Sequence, residues 1–111
     1  MSKTSPSKSV LITGCSEGGI GDALAKEFHA NGLRVFATAR NLKSIQHLKD
    51  MGMTILPLDV VNPSSIAEAV KSVEAATGGT LDFLVNNSGI GELNYSPTVK
   101  KRIHKTGDRR R

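Results

Sequence analysis

The sequence predicts an α/β fold in which helices cover both faces of a doubly wound parallel sheet. Short apolar runs rich in β-branched residues, typical of strands buried on both faces, alternate with stretches whose apolar residues recur every three or four positions. A glycine-rich loop separates the first apolar run from the first helix-like stretch. This alternation implies right-handed crossovers onto a parallel sheet, with ligands expected at the carboxyl ends of the strands.

The first strand is predicted at residues 9–13, which are nearly all apolar. The helix that follows has one apolar face, formed by Ile20, Leu24 and Phe28, and Asn31-Gly32 supplies its stop. Three further strands are predicted at residues 33–39, 53–58 and 81–85. The helices between them begin after Asn41 and at Asn62-Pro63, where a capping side chain precedes the proline favoured in the first helical position.

The loop at residues 13–21 has the composition of a phosphate-binding turn. Glycines let the backbone turn sharply and bring a pyrophosphate against bare N–H groups at the positive end of a helix, where four donors lack intrahelical partners. The match to the dinucleotide pattern G-x-G-x-x-G/A is imperfect, because Leu24 stands in the last place. A flexible glycine turn is the alternative interpretation.

Arg40 follows the second predicted strand, where dinucleotide folds often carry the acid that holds the ribose 2′-hydroxyl. A guanidinium at that position can make paired, charge-assisted hydrogen bonds to a 2′-phosphate. The residue therefore favours NADP(H) over NAD(H) as the cofactor. A solvated loop arginine is the alternative.

Four signals together resemble the short-chain dehydrogenase/reductase family, in that family's order and spacing. They are Thr13-Gly14 with Gly19-Ile20-Gly21, Thr38-Ala39-Arg40, Asp59-Val60, and Asn86-Asn87-Ser88-Gly89. The usual loop is T-G-x-x-x-G-I-G, whereas four residues separate Gly14 from Gly19 here. The sequences of the loop and of the F-A-T-A-R strand are most similar to those of fungal NADPH-dependent 1-acyldihydroxyacetone-phosphate reductases.

The resemblance implies a Rossmann-like sheet of order 3-2-1-4, truncated after the fourth strand. It covers residues 9–91, which are expected to form a partial NADP-binding domain. The polar, Ser-rich residues 1–8 and the basic residues 92–111, in which the charged end has no apolar periodicity, are expected to be disordered. Open edges and apolar faces left by the truncation would invite aggregation or a partner.

The same resemblance implies roles for individual residues. Those expected to line the pyrophosphate are Gly14, Ser16, Gly19, Ile20 and Gly21. Arg40 would bind the 2′-phosphate, Asp59 would face the adenine amino group, and Val60 would lie against the adenine ring. Asn87 and Gly89 would border the adenosine ribose. As alternatives, Asp59 begins a turn, and Asn86-Asn87-Ser88-Gly89 is only a strand-ending turn.

No catalytic residue is predicted in this chain. Reductases of the family use a Tyr-x-x-x-Lys pair, but Tyr95 is followed by Val99 four positions on and Lys100 five positions on, with Pro97 between. We also expect no metal site, because His29, His47 and His104 lack ligand spacing and are taken as surface groups. Cys15, the single cysteine, is interpreted as a small filler residue rather than a reactive thiol.

The net charge of +5 comes from the end of the chain. Residues 100–111 hold seven Lys or Arg and one Asp, net +6, whereas residues 1–99 hold eight basic and nine acidic groups, net −1. The domain itself is therefore not basic, and the tail has no aromatic residue to stack on bases, so we do not expect a nucleic acid as partner. Nonspecific binding of a polyanion by the tail is the alternative. No secretory signal or membrane-spanning segment is predicted, so we expect an intracellular, cytoplasmic protein. The resemblance allows association with endoplasmic reticulum or lipid droplets.

Three hypotheses follow for function. The first is an NADPH-dependent reductase that delivers hydride to a ketone, for instance that of an acyl-dihydroxyacetone phosphate. In the second, the chain binds NADP(H) without turnover. In the third, it is an interaction module acting through the open sheet edge or the basic tail.

Overall fold

A computed structural model describes residues 8–87 and, for the backbone alone, residues 99–104. The strands are β1 (Ser9–Ile12), β2 (Arg34–Ala39), β3 (Thr54–Pro57), β4 (Leu81–Asn86) and β5 (Val99–His104). The α-helices are α1 (Ile20–Ala30), α2 (Gln46–Asp50) and α3 (Pro63–Thr77), and a 3₁₀ turn (Leu42–Ile45) precedes α2. In this part of the chain, no helix is both long and apolar enough to cross a bilayer.

The strands form one parallel sheet in the order β3-β2-β1-β4-β5. β1 lies between β2 and β4, so that Leu11 is paired with Phe36 on one side and Leu84 on the other. The predicted order 3-2-1-4 is therefore confirmed for the first four strands. Strand order reverses beside β1, which is the position where α/β sheets of this kind open a crevice for ligands.

The fifth strand is a difference from the prediction, which ended the sheet at β4 and left residues 92–111 without regular structure. Val99–His104 instead pairs in parallel with β4, from Leu81 opposite Val99 to Asn86 opposite His104. An open edge offers unpaired N–H and C=O groups to any extended segment, and Val99 and Ile103 favour extended backbone. Residues 1–7, 88–98 and 105–111 lie outside the described part of the structure.

The hydrophobic core has two layers, one on each face of the sheet. Successive residues of a strand point to opposite faces, so Val10 and Ile12 join one layer while Leu11 joins the other. The first layer also contains Ala25 of α1 and Leu48 of α2. The second layer is closed by residues of α3, namely Ala69 and Val73, with Ile66 and Val70 packed against them.

The helix ends follow the predicted capping residues. The Asn62 side chain accepts hydrogen bonds from the backbone N–H groups of Ser64 and Ser65, and Pro63 opens α3. Gly78 ends that helix with a left-handed φ of +81°. The helix predicted after Asn41 is shorter and begins as the 3₁₀ turn, in which the Asn41 side chain accepts from the N–H of Lys43.

Candidate functional site

A pocket of about 270 Å³ opens at the carboxyl ends of β1, β2 and β3. Its lining residues come from the end of β2 and from the loops that follow the three strands, and they are Gly14, Ser16, Ala39, Arg40, Leu58, Asp59, Val60 and Val61. Residues predicted from three separate sequence signals thus meet in one place. Its lining combines apolar side chains with the polar groups of Ser16, Arg40 and Asp59, a mixture that can hold and orient a small molecule.

The glycine loop between β1 and α1 packs too tightly for a side chain at Gly21. A Cβ atom there would lie 2.2 Å from the carbonyl oxygen of Gly14 and 2.9 Å from Nδ2 of Asn87. Gly14 and Gly18 have φ values of +68° and +86°, which L-residues with side chains rarely adopt. This backbone geometry is that of a closely packed turn, and phosphate binding by the loop stays a prediction.

Asn87, at the end of β4, fixes the start of the same loop. Its Nδ2 donates to the carbonyl oxygen of Gly14 at 3.1 Å, and its backbone N–H donates to Oγ1 of Thr13 at 2.9 Å. Asn87 is therefore part of the loop's support and more than a strand-ending turn. Gly89, predicted beside it, lies outside the described residues.

The first turn of α1 presents backbone donors towards the loop. Its N-cap is Gly19, which has no side chain to satisfy the N–H groups of the first turn. Ile20, the first helical residue, is 58% exposed, whereas the next two residues of the helix, Gly21 and Asp22, are buried. An uncapped helix N-terminus with its partial positive charge suits an anionic group.

The loop is also joined to the segment that follows β2. The N–H of Cys15 donates to the Thr38 carbonyl at 2.9 Å, and the N–H of Glu17 donates to the Ser44 carbonyl at 3.1 Å. The hydroxyls of Ser16 and Ser44 are 3.2 Å apart. Arg40 lies between Thr38 and Ser44, so its position is tied to that of the glycine loop.

Arg40 is exposed and forms no salt bridge with any residue in 8–87. Its guanidinium is therefore available to a ligand, as the 2′-phosphate interpretation requires, although the same geometry fits the solvated alternative.

Asp59 and Val60 line the pocket from the segment that follows β3. Asp59 does begin a turn, since its Oδ1 accepts from the N–H of Val61 at 3.1 Å, but the residue also lines the pocket. The two interpretations of Asp59 are thus compatible.

The structure agrees with the interpretation of Cys15 as a filler residue and differs from the interpretation of His47 as a surface group. Cys15 is fully buried, its thiol donates to the Ile12 carbonyl, and burial raises its pKa to about 12. This agrees with a filler role.

His47 is more than the predicted surface group, because its Nε2 lies 2.7 Å from Oδ1 of Asp22. Sequence spacing does not reveal this contact, which joins residues 25 positions apart. Across the described ranges, no cluster of His, Cys, Asp and Glu could hold a metal ion.

Comparison with known proteins decides the family. The family model described as short chain dehydrogenase matches residues 8–107. The chain belongs to the short-chain dehydrogenase family. It is 56% identical over 87 residues to the short-chain dehydrogenase PC-15 of Penicillium crustosum, covering 78% of this chain and 32% of that protein. It is 49% identical over 82 residues to an NADPH-dependent 1-acyldihydroxyacetone phosphate reductase of Schizosaccharomyces pombe, covering 74% and 28%.

Solved structures agree on the fold of this short-chain dehydrogenase chain. A 3-ketoacyl-(acyl-carrier-protein) reductase from Brucella melitensis, complexed with NADH, superposes with a TM-score of 0.67 at 30% identity. The match covers 77% of this chain and 35% of that one. The chain thus spans about a third of the length of the relatives it matches.

Members of the family are oxidoreductases with a Rossmann-like fold that binds a nicotinamide dinucleotide. The residues present here fit such a group. The glycine loop is closely packed at Gly21, the N-cap of α1 makes no side-chain hydrogen bond, and the pocket joins the glycine loop to Arg40 and Asp59.

Proposed function

We propose that the chain forms the NADP(H)-binding part of a short-chain reductase. One observation carries the proposal: Arg40 lines the same pocket as Gly14, Ser16 and Asp59, in the position where an acid would select NAD(H). The similarity to a relative named as NADPH-dependent supports this choice. The named complex of another relative with NADH is the reason to test both cofactors.

The residues predicted to bind the cofactor have the following proposed roles. The loop residues Gly14, Ser16, Gly19, Ile20 and Gly21 receive the pyrophosphate, and Arg40 binds the 2′-phosphate. Asp59 accepts from the adenine amino group while Val60 packs on the ring. Asn87 and Gly89 border the adenosine ribose.

The positive end of α1 and the Arg40 guanidinium supply the charge complementarity that a dinucleotide with several phosphate groups needs. Arg40 and Ile20, the first residue of α1, are both exposed.

For the reaction, we propose reduction of a ketone, with an acyl-dihydroxyacetone phosphate as the candidate substrate class. Family membership and the name of the Schizosaccharomyces pombe relative support this. The cofactor, when bound, supplies the hydride. This chain's residues bind and orient the adenosine and pyrophosphate end of the cofactor. We also propose an intracellular location, because a single cysteine that forms no disulfide suits a reducing compartment.

We further propose that the 111-residue chain binds NADPH without turning it over. The family's Tyr-x-x-x-Lys pair is not matched at Tyr95, because Lys100 stands five positions on rather than four. Tyr95 itself lies outside the described residues.

The test is to mix the purified chain with NADPH and a long-chain acyl-dihydroxyacetone phosphate. We expect saturable quenching or shift of NADPH fluorescence and no loss of the reduced cofactor. Oxidation of NADPH that requires the ketone would contradict the absence of turnover. Failure to bind NADPH by a folded sample would contradict the proposed function as a whole.

A further inference from the structure

Asp22, in the first turn of α1, contacts three residues: Gly18 of the glycine loop, Lys26 of the same helix and His47 of α2. Its Oδ2 accepts from the backbone N–H of Gly18 at 3.1 Å and lies 3.3 Å from Nζ of Lys26. Its Oδ1 lies 2.7 Å from Nε2 of His47 on α2. The Asp22 side chain is only 6% exposed, against 27% for His47 and 45% for Lys26.

The contact to Gly18 adds a hydrogen bond at the tip of the loop, between the backbone hydrogen bonds that Glu17 donates to the Ser44 carbonyl and Gly19 donates to the Ser16 carbonyl. Gly18 has a φ of +86°, and a Cβ placed on it would meet nothing within 4 Å. A glycine in open space can change conformation freely unless a hydrogen bond holds it. The Asp22 carboxylate supplies that hydrogen bond at the tip of the loop.

A carboxylate at this position has an electrostatic cost. It stands at the helix end where the pyrophosphate is proposed to bind, and two anions there repel each other. Burial raises the pKa of Asp22, but hydrogen bonds from His47, the Gly18 N–H and Lys26 outweigh burial and hold that pKa below its ordinary value. The carboxylate is therefore ionised and needs its cationic or donor partners.

The two partners differ in what they connect. Lys26 lies one turn along the same helix and is nearly half exposed, so its pairing contributes little. His47 comes from α2, close to the Ser44 contacts with the loop, and thereby joins two elements around Asp22.

We propose that Asp22 and His47 are positioning residues that lock the glycine loop in the conformation that receives the cofactor pyrophosphate. The inference rests on the proposed function. It assigns to His47 a role in affinity for both dinucleotides, distinct from the choice between them that is proposed for Arg40.

The test compares His47→Ala with His47→Gln, whose amide nitrogen can replace Nε2 as a hydrogen-bonding partner, and with Lys26→Gln as the matched control on the same carboxylate. NADPH and NADH affinities are measured by calorimetry. Adenosine 2′-monophosphate, which has no pyrophosphate, serves as the ligand control. Amide hydrogen exchange at Gly18 reports the loop without any ligand.

We expect H47A to weaken NADPH and NADH equally, by about tenfold, because a loop that is competent about a tenth of the time lowers apparent affinity by that factor. Its affinity for adenosine 2′-monophosphate should not change, and Gly18 should exchange faster. H47Q should restore most of both losses, and K26Q should behave as wild type.

Unchanged Gly18 exchange and dinucleotide affinity in H47A would overturn the inference. An equal loss of adenosine 2′-monophosphate binding would do so as well, since that result indicates a general structural defect. If the wild-type chain binds neither dinucleotide, the proposed function fails, whereas Gly18 exchange in H47A and H47Q still decides whether the pair holds the loop.

Discussion

Gly21 lies against Gly14 so closely that a methyl group on Gly21 would come within 2.2 Å of the Gly14 carbonyl oxygen. The contact joins the first turn of α1 to the residues that follow β1, and Asn87, directly after β4, donates to the same oxygen. The segments that follow β1 and β4 are therefore held together with the start of α1 beside Gly14, which lines the pocket.

Gly21→Ala tests this close approach. Because the obstructing atom belongs to the backbone, it cannot rotate away, and we expect a loss of about 2 to 3 kcal/mol in the free energy of unfolding. Gly19→Ala is the matched control, since a Cβ at Gly19 would meet only the Ser16 carbonyl at 3.4 Å, an ordinary contact. Denaturant unfolding of both variants measures the difference. Equal stability of G21A and wild type would show that the loop is not packed as described.

Arg40→Ala tests the cofactor preference. Loss of charge-assisted hydrogen bonds to a 2′-phosphate should weaken NADPH by about 10- to 100-fold and leave NADH nearly unchanged. Arg34→Ala is the control at the other end of β2, where the guanidinium donates to the Ala76 carbonyl at 2.8 Å and stacks over Phe36. Titration of each variant with both cofactors gives the ratio. An equal loss for NADPH and NADH in R40A would count against the 2′-phosphate role.

The buried thiol of Cys15 gives a prediction about reactivity. With a pKa of about 12, it is ionised in about one molecule in ten thousand near pH 8, and it has no access to reagents. A disulfide reagent should therefore modify Cys15 only in denaturant, with an unfolded sample as the positive control. Rapid modification of the native chain would show that the region around Cys15 opens.

The same shift has a consequence for stability at high pH. The pKa of Cys15 is raised in the folded state, from an ordinary value of 9.0 to about 12, so its contribution is complete below pH 9 and is lost as the pH rises towards 12. Cys15→Ala should show a shallower decline over this window in unfolding measurements. An identical decline in both proteins would contradict the prediction.

Local chemistry explains which parts of the fold could be predicted. The glycine loop, the Asn62-Pro63 helix start and the alternation of strands and helices depend on residues that are neighbours in sequence. The strand order came from the family resemblance, and the structure bears it out.

The features that were not predicted depend on contacts between distant segments. Asp22 and His47 are 25 positions apart, and nothing in the residues between them indicates that their side chains meet. The pairing of β5 with β4 is a second example. The composition of this segment, rich in Lys and Arg, predicts a solvated chain, and its strand forms against the edge of β4, which is distant in sequence.

Calorimetric titration of the folded 111-residue chain with NADPH, and separately with NADH, tests the central claim most directly. Saturable one-to-one binding of NADPH, tighter than that of NADH, is the result that the arrangement of Arg40 and the α1 N-terminus predicts. The absence of any heat of binding, in a sample shown to be folded by its cooperative unfolding, would contradict it.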